Sequence, residues 1–93
     1  MEHANEDMII ATREDEAVAI AAGAWLTGKK PLVMMQNSGL GNCIDILTSL
    51  IKPYGIDIDL LIQNRISPEH HKLMGEITKS IMELIGHEKV KYC

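Results

Sequence analysis

The sequence contains no phenylalanine, one tryptophan and two tyrosines, which excludes aromatic packing as the basis of its core. Long hydrophobic runs are also missing. No stretch approaches the roughly 18–20 apolar residues that a membrane-spanning helix needs, and no positively charged start precedes an apolar signal region, so a cytoplasmic protein is expected. Basic residues are few: 9 Lys and Arg against 13 Asp and Glu give a formal charge of −4 and a pI near 5.4. Nucleic acid and anionic membrane surfaces would not be attracted to such a chain, and Lys29-Lys30 and the stretch Lys89 to Lys91 are too short to act as basic patches. The two cysteines, Cys43 and Cys93, have neither metal-ligand spacing nor the number for a disulfide framework. Cys43 stands at an expected helix start and reads as a small buried filler more readily than as an activated thiol. No metal site is expected in the chain.

What is present is an aliphatic domain. At 93 residues and 46% apolar content the chain makes one small domain, at the low end of what buries a self-sufficient core. Thr12 is a good N-cap and Asp15 stands where a capping acid would reach back to it, so a helix is expected from Arg13 with Glu14 in its first turn. It runs through Ala17 to Leu26 and ends before Gly28, which suits a positive-φ C-cap. Apolar residues on every side of it, and Gly23 within it, indicate a helix covered all round and approached closely by another backbone. Pro31 opens a short apolar strand through Gln36, of the kind covered on both faces. The polar loop Gln36-Asn37-Ser38-Gly39-Leu40-Gly41-Asn42 follows, leading into a helix from Cys43. A strand running into such a loop and then a helix is how open α/β sheets build ligand sites, although the loop lacks the third glycine and the downstream acid of a dinucleotide fingerprint.

Met8-Ile9-Ile10-Ala11 reads as a short strand before the first helix. Ile44, Leu47, Leu50 and Ile51 recur at helical spacing, Pro53-Tyr54-Gly55 stops that helix, and Ile56 to Ile62 forms the third strand. A last amphipathic helix spans roughly Thr78 to Ile85 and is closed by Gly86, leaving an exposed tail from His87 to Cys93. The strand–helix alternation calls for an α/β fold with a mostly parallel sheet.

The stretch Arg13-Glu14-Asp15-Glu16-Ala17-Val18-Ala19-Ile20-Ala21-Ala22-Gly23-Ala24, taken with Met35-Gln36-Asn37-Ser38-Gly39-Leu40-Gly41-Asn42, resembles the pyrimidine-binding domain of thiamine-diphosphate enzymes. Within that superfamily it is most similar to the sulfopyruvate and phosphonopyruvate decarboxylases, over roughly Ile10 to Gly86. The resemblance implies a three-layer α/β fold, a small mostly parallel sheet flanked by helices, shorn here of its first strand and helix. It also implies a decarboxylase subunit that needs thiamine diphosphate. In the family a glutamate nine residues before the helix glycine, here Glu14 before Gly23, hydrogen-bonds the ring nitrogen of the cofactor's aminopyrimidine and promotes formation of the ylid.

By position alone Glu14 reads as an acid stabilised by the helix dipole, and it is the resemblance that makes it a cofactor contact. Gln36, Asn37, Ser38 and Gly39 are expected to line the cofactor, and Asn42 and Arg65 to bind the substrate's acidic groups, although the loop residues could simply form a capped turn and Arg65 a structural salt bridge. His70-His71, followed by Lys72-Leu73-Met74-Gly75, is similar to the family's histidine or His-His pair that donates a proton or binds the substrate; an exposed helix start is its bland reading. The sequence has no Gly-Asp-Gly with a downstream asparagine, the family's pattern for magnesium and diphosphate. A beta-type partner subunit is therefore expected to hold Mg2+ and the diphosphate, in a hetero-oligomer or at least a dimer, with the apolar helix as the covered surface. The implied reaction is decarboxylation of 3-sulfopyruvate to sulfoacetaldehyde, toward coenzyme M. The alternatives are phosphonopyruvate as substrate, a non-catalytic interaction module of the same fold, or an unrelated α/β domain that binds a small anion at the loop.

Overall fold

Residues 8–64 and 72–93 are described by a computed structural model of the chain. Helix α1 spans Glu14–Leu26. It starts one residue later than expected, with Arg13 at the N-cap and no side-chain cap. With Arg13 there, Glu16 occupies the third helical position, and its Oε1 accepts from the Thr12 backbone N–H at 2.7 Å. Asp15 instead accepts from the N–H of Glu16 at 3.0 Å and from Arg13 Nε at 3.1 Å. The reach-back anticipated for Asp15 thus belongs to Glu16, which sits at the capping-box position. At the other end Gly28 takes φ 92°. Its N–H donates to Trp25 O and that of Lys29 donates to Ala24 O, the paired closure that a left-handed C-terminal residue permits.

Strands β1 (Leu32–Gln36), β2 (Asp59–Gln63) and β3 (Val90–Tyr92) form a parallel sheet in the order β1-β2-β3. Parallel pairing needs long crossovers, and each crossover carries a helix. The first holds a 3-10 segment, Asn37–Cys43, then α2, which is α-helical over Ile44–Ile46 and π-helical over Leu47–Ile51. The second holds α3, Lys72–Ile85, longer at its start than the expected Thr78 to Ile85. Lys52 Nζ, just beyond α2, donates to Gly86 O at 2.9 Å and so closes the end of α3. The expected α/β class with a small parallel sheet flanked by helices is what the chain shows.

Register places Val33 beside Leu60 and Met35 beside Ile62, and all four point into the core. Val18, Ala21 and Ala22 of α1 join them there, with Leu40, Leu47, Ile51, Ile58 and Met82. The core is aliphatic throughout, as the lack of phenylalanine requires. Alternate residues of β1 face the other way: Leu32 is 56% and Met34 68% exposed. Contrary to expectation, this strand is therefore covered on one face only by the described residues. The outer side of α1 is open as well, and a Cβ on Gly23 would meet nothing within 4 Å. The backbone approach expected at Gly23 is not made by the described residues.

Two expectations about the ends are overturned. Met8 to Ala11 is not a strand, and Ile10 is 91% exposed; no strand lies beyond β1 to pair with it among the described residues. The tail is not free either, since it supplies β3. The N–H of Leu60 donates to Lys89 O at 2.9 Å, that of Asn64 to Cys93 O at 2.9 Å and that of Cys93 to Ile62 O at 3.0 Å. Hydrogen exchange is expected to be slowed at Leu60, Asn64 and Cys93 by at least roughly 100-fold relative to an unstructured chain; free exchange at Cys93 would refute the third strand. Gly23→Ala should stabilise the chain alone by up to about 1 kcal/mol in urea unfolding, since it improves helix propensity at an open position; destabilisation would mean that something occupies that face.

Candidate functional site

The first turn of α1 and the 3-10 segment after β1 meet at Glu14. Glu14 is a half-buried residue, with its Oε1 accepting from Asn42 Nδ2 at 3.1 Å across 28 residues of sequence. Its side chain lies flat on the backbone of Gly39. A Cβ at Gly39 would fall 2.3 Å from Glu14 Cγ, 2.6 Å from Cδ and 2.9 Å from Oε2, distances no side chain tolerates. Among the described residues no donor is directed at Oε2. The two sequence stretches that carry the family resemblance therefore converge on one carboxylate.

Cys43 ends the 3-10 segment beneath this point and is fully buried. Its thiol is pushed up from 9.0 to about 12, first by burial and then by the negative charges of Glu14 and Asp15. Full burial, reinforced by the two acids, disfavours a thiolate, so Cys43 is the filler that its position suggested and not a nucleophile.

The remaining expected residues are spread more widely. Asn37 has no exposed surface; its Nδ2 donates to Thr78 Oγ1 at 3.3 Å, and the Thr78 hydroxyl donates to Met74 O. That chain of bonds ties the turn after β1 to α3, a connection that nothing in the spacing of Asn37 and Thr78 announces. Gln36 and Ser38 are exposed at the carboxyl end of β1, while Gly39 is buried under Glu14. Asn42, expected to bind substrate, reaches Glu14, a contact that its place in the sequence does not announce. Arg65, His70 and His71 lie outside the described residues. Asn64, at the end of β2, has a buried Oδ1 with no partner among the described residues.

At the opposite, amino end of the sheet a cavity of about 390 Å³ is lined by Trp25, Lys29, Lys30, Asp57, Asp59 and Lys89 among others. Its charges neutralise one another in part, with Lys89 Nζ 2.6 Å from Asp57 Oδ1 on the open surface. It does not communicate with Glu14. No cluster of three His, Cys, Asp or Glu able to hold a metal occurs among the described residues, and no helix among them is long and apolar enough to cross a membrane.

No protein-family model matches the chain. It is 40% identical over 82 residues to the sulfopyruvate decarboxylase subunit alpha of Methanococcus maripaludis, covering 83% of this chain and 48% of the relative. To the subunit alpha of Methanocaldococcus jannaschii it is 53% identical over 57 residues, 61% of this chain and 34% of the relative. To the phosphonopyruvate decarboxylase of Streptomyces viridochromogenes it is 41% identical over 86 residues, 86% of this chain and 21% of the relative. The chain thus spans about half or less of the length of these relatives. The resemblance read from Arg13 to Ala24 and from Met35 to Asn42 is borne out by relatives bearing both of the expected names.

A thiol reagent at neutral pH should modify exposed Cys93 in the folded chain and Cys43 only in denaturant. Because the Cys43 thiol stays neutral in the fold while an unfolded thiol ionises, its contribution to stability is complete below pH 9 and lost as pH rises toward 12. Burial raises the Tyr92 hydroxyl in the same direction. The alkaline fall of the urea midpoint should accordingly shrink, without vanishing, in Cys43→Ala; an unchanged slope would refute the buried neutral thiol.

Proposed function

We propose that this chain forms the aminopyrimidine side of a thiamine-diphosphate-dependent 2-oxo acid decarboxylase, as an alpha-type subunit acting on 3-sulfopyruvate and yielding sulfoacetaldehyde for coenzyme M synthesis. One observation carries the reading: the side chain of Glu14, at the start of α1, rests against the glycine turn that follows β1. The arrangement fits the cofactor's ring. Oε1 is held by Asn42, Oε2 has no donor among the described residues, and Gly39 leaves a wall without side chain beside it. A carboxylate so placed is an acceptor for a ring N–H, and the charge-assisted bond is stronger than one between neutral groups.

When bound, thiamine diphosphate supplies the carbon nucleophile that adds to the keto carbon and the electron sink for loss of carbon dioxide. The chain's own residues would bind and orient. Glu14 would hold a protonated ring nitrogen, and Gln36 and Ser38, which are exposed at the end of β1, would line the cofactor beside it. Asn37, turned into the core, keeps the turn in place through Thr78. We assign Arg65 to the substrate's sulfonate, for which a planar guanidinium is suited, and His70 or His71 to proton delivery near neutral pH.

The sequence offers no Gly-Asp-Gly pattern for magnesium and diphosphate, so we assign both to a beta-type partner subunit. The relatives' designation as alpha subunits supports a partner, and the open apolar side of α1 is the surface we expect it to cover. Two free thiols accord with a reducing cytoplasm. Phosphonopyruvate is the second reading, favoured by a match of 86 residues to a phosphonopyruvate decarboxylase.

Decarboxylation of both keto acids by this chain with a diphosphate-binding subunit, thiamine diphosphate and magnesium tests the proposal. Glu14→Gln should lower kcat/KM by roughly 100-fold or more, the scale of a lost acid–base contact, and the preferred substrate names the reaction. Full activity in that variant would refute the role of Glu14. An inert but stable complex would leave a non-catalytic module.

A further inference from the structure

We propose that Asn42 and Gly39 form a positioning device for Glu14, Gly39 by leaving room for its side chain and Asn42 by pinning Oε1 so that Oε2 is the oxygen presented to a ligand. The inference rests on the reading of Glu14 as the residue that meets the cofactor's ring.

Three acids occupy the first turn of α1, and two are committed to the helix itself. Asp15 accepts from the N–H of Glu16 and from Arg13 Nε, and Glu16 accepts from the N–H of Thr12. Glu14 alone reaches away from its own helix, to a side chain 28 residues further along. A glutamate has three rotatable side-chain bonds, and one on a half-buried first turn would otherwise sample several rotamers. The amide of Asn42 restricts that freedom, and because it donates to Oε1, it makes the two oxygens unequal.

Gly39 is the other half of the device, and its glycine is not there for the backbone. The glycines with positive φ are Gly28, Gly55 and Gly86, so Gly39 adopts a conformation open to other residues. What forbids a side chain is Glu14 itself, whose Cγ lies 2.3 Å from the Cβ position. Gly41, two residues on, also lacks positive φ and has nothing within 4 Å of its Cβ position. The two loop glycines thus separate cleanly: one is required by a contact, and the other is not. Asn42 lies on the surface, so its replacement removes the hydrogen bond without opening the core.

The test compares Asn42→Ala, Asn42→Asp and Gly41→Ala in the complex with the diphosphate-binding subunit, and measures thiamine diphosphate binding by equilibrium titration beside kcat and KM. A positioning role predicts that Asn42→Ala lowers kcat on the order of 10- to 100-fold, the scale of misplacing a reacting group, and weakens cofactor binding, with KM for the keto acid unchanged. Asn42→Asp should be worse than Asn42→Ala because a second carboxylate repels Glu14, and Gly41→Ala should match the parent.

A rise in KM with kcat and cofactor affinity unchanged would overturn the proposal and make Asn42 a substrate ligand; equal behaviour of the Ala and Asp variants would overturn it too. Urea unfolding of the chain alone separates this from the proposed function. Gly39→Ala should lower the midpoint in the parent and have less effect in a Glu14→Ala background. That coupling survives if the catalytic reading fails, and its absence would refute the contact even if the catalytic reading holds.

Discussion

The seating of the Glu14 side chain on the turn after β1 depends on one absent side chain. Glu14 cannot occupy its place unless residue 39 has no Cβ, and the approach brings the amino end of a helix against the carboxyl end of a strand. Everything else at that end of the molecule is arranged around the contact. Leu40 and Cys43 are buried beneath it and Asn37 turns inward to Thr78, so the 3-10 segment is anchored from below while its exposed residues face outward. A short turn held on two sides is a stiffer support for a carboxylate than a mobile loop, and stiffness is what a group that must meet a ligand at one atom requires.

The electrostatics of this corner are one-sided. Glu14, Asp15 and Glu16 share the first turn of α1, where the unpaired N–H groups and the helix dipole favour negative charge. The thiol of Cys43, whose ionisation is suppressed first by burial, registers the same field from inside through the charges of Glu14 and Asp15. A negative corner suits a ligand that brings an N–H or a positive ring, and it disfavours one that approaches with an anionic group first. Under the proposed function the substrate's acidic groups must therefore meet cationic residues elsewhere, in this chain or its partner.

Much of this was legible in the residues. Gly28 and Gly86 marked helix ends because only glycine readily takes the positive φ found there, and the paired motifs around Glu14 and Gly39 pointed to a shared site. The β3 strand was not legible. Lys89-Val90-Lys91-Tyr92 alternates over too few residues to distinguish a strand from an exposed tail, and only the register with Leu60 and Ile62 resolves it. Met8 to Ala11 failed in the opposite sense: it has the composition of a strand, but composition cannot say whether a neighbouring edge is available. The cap at α1 was misplaced because Thr12, Arg13, Asp15 and Glu16 admit two registers of reach-back, and the longer glutamate side chain takes the position that spans the turn. The bond from Asn42 to Glu14 was not legible either, because a polar residue beside a glycine turn gives no hint of a partner 28 residues earlier.

The last turn of α3 carries no basic residue of its own, and the cation at its end, Lys52, belongs to the preceding crossover. A helix terminus whose compensating charge is borrowed in this way cannot fray independently of the element that lends it. The two crossovers share this contact, so fraying at the end of α3 would also free the Lys52 side chain at the end of α2.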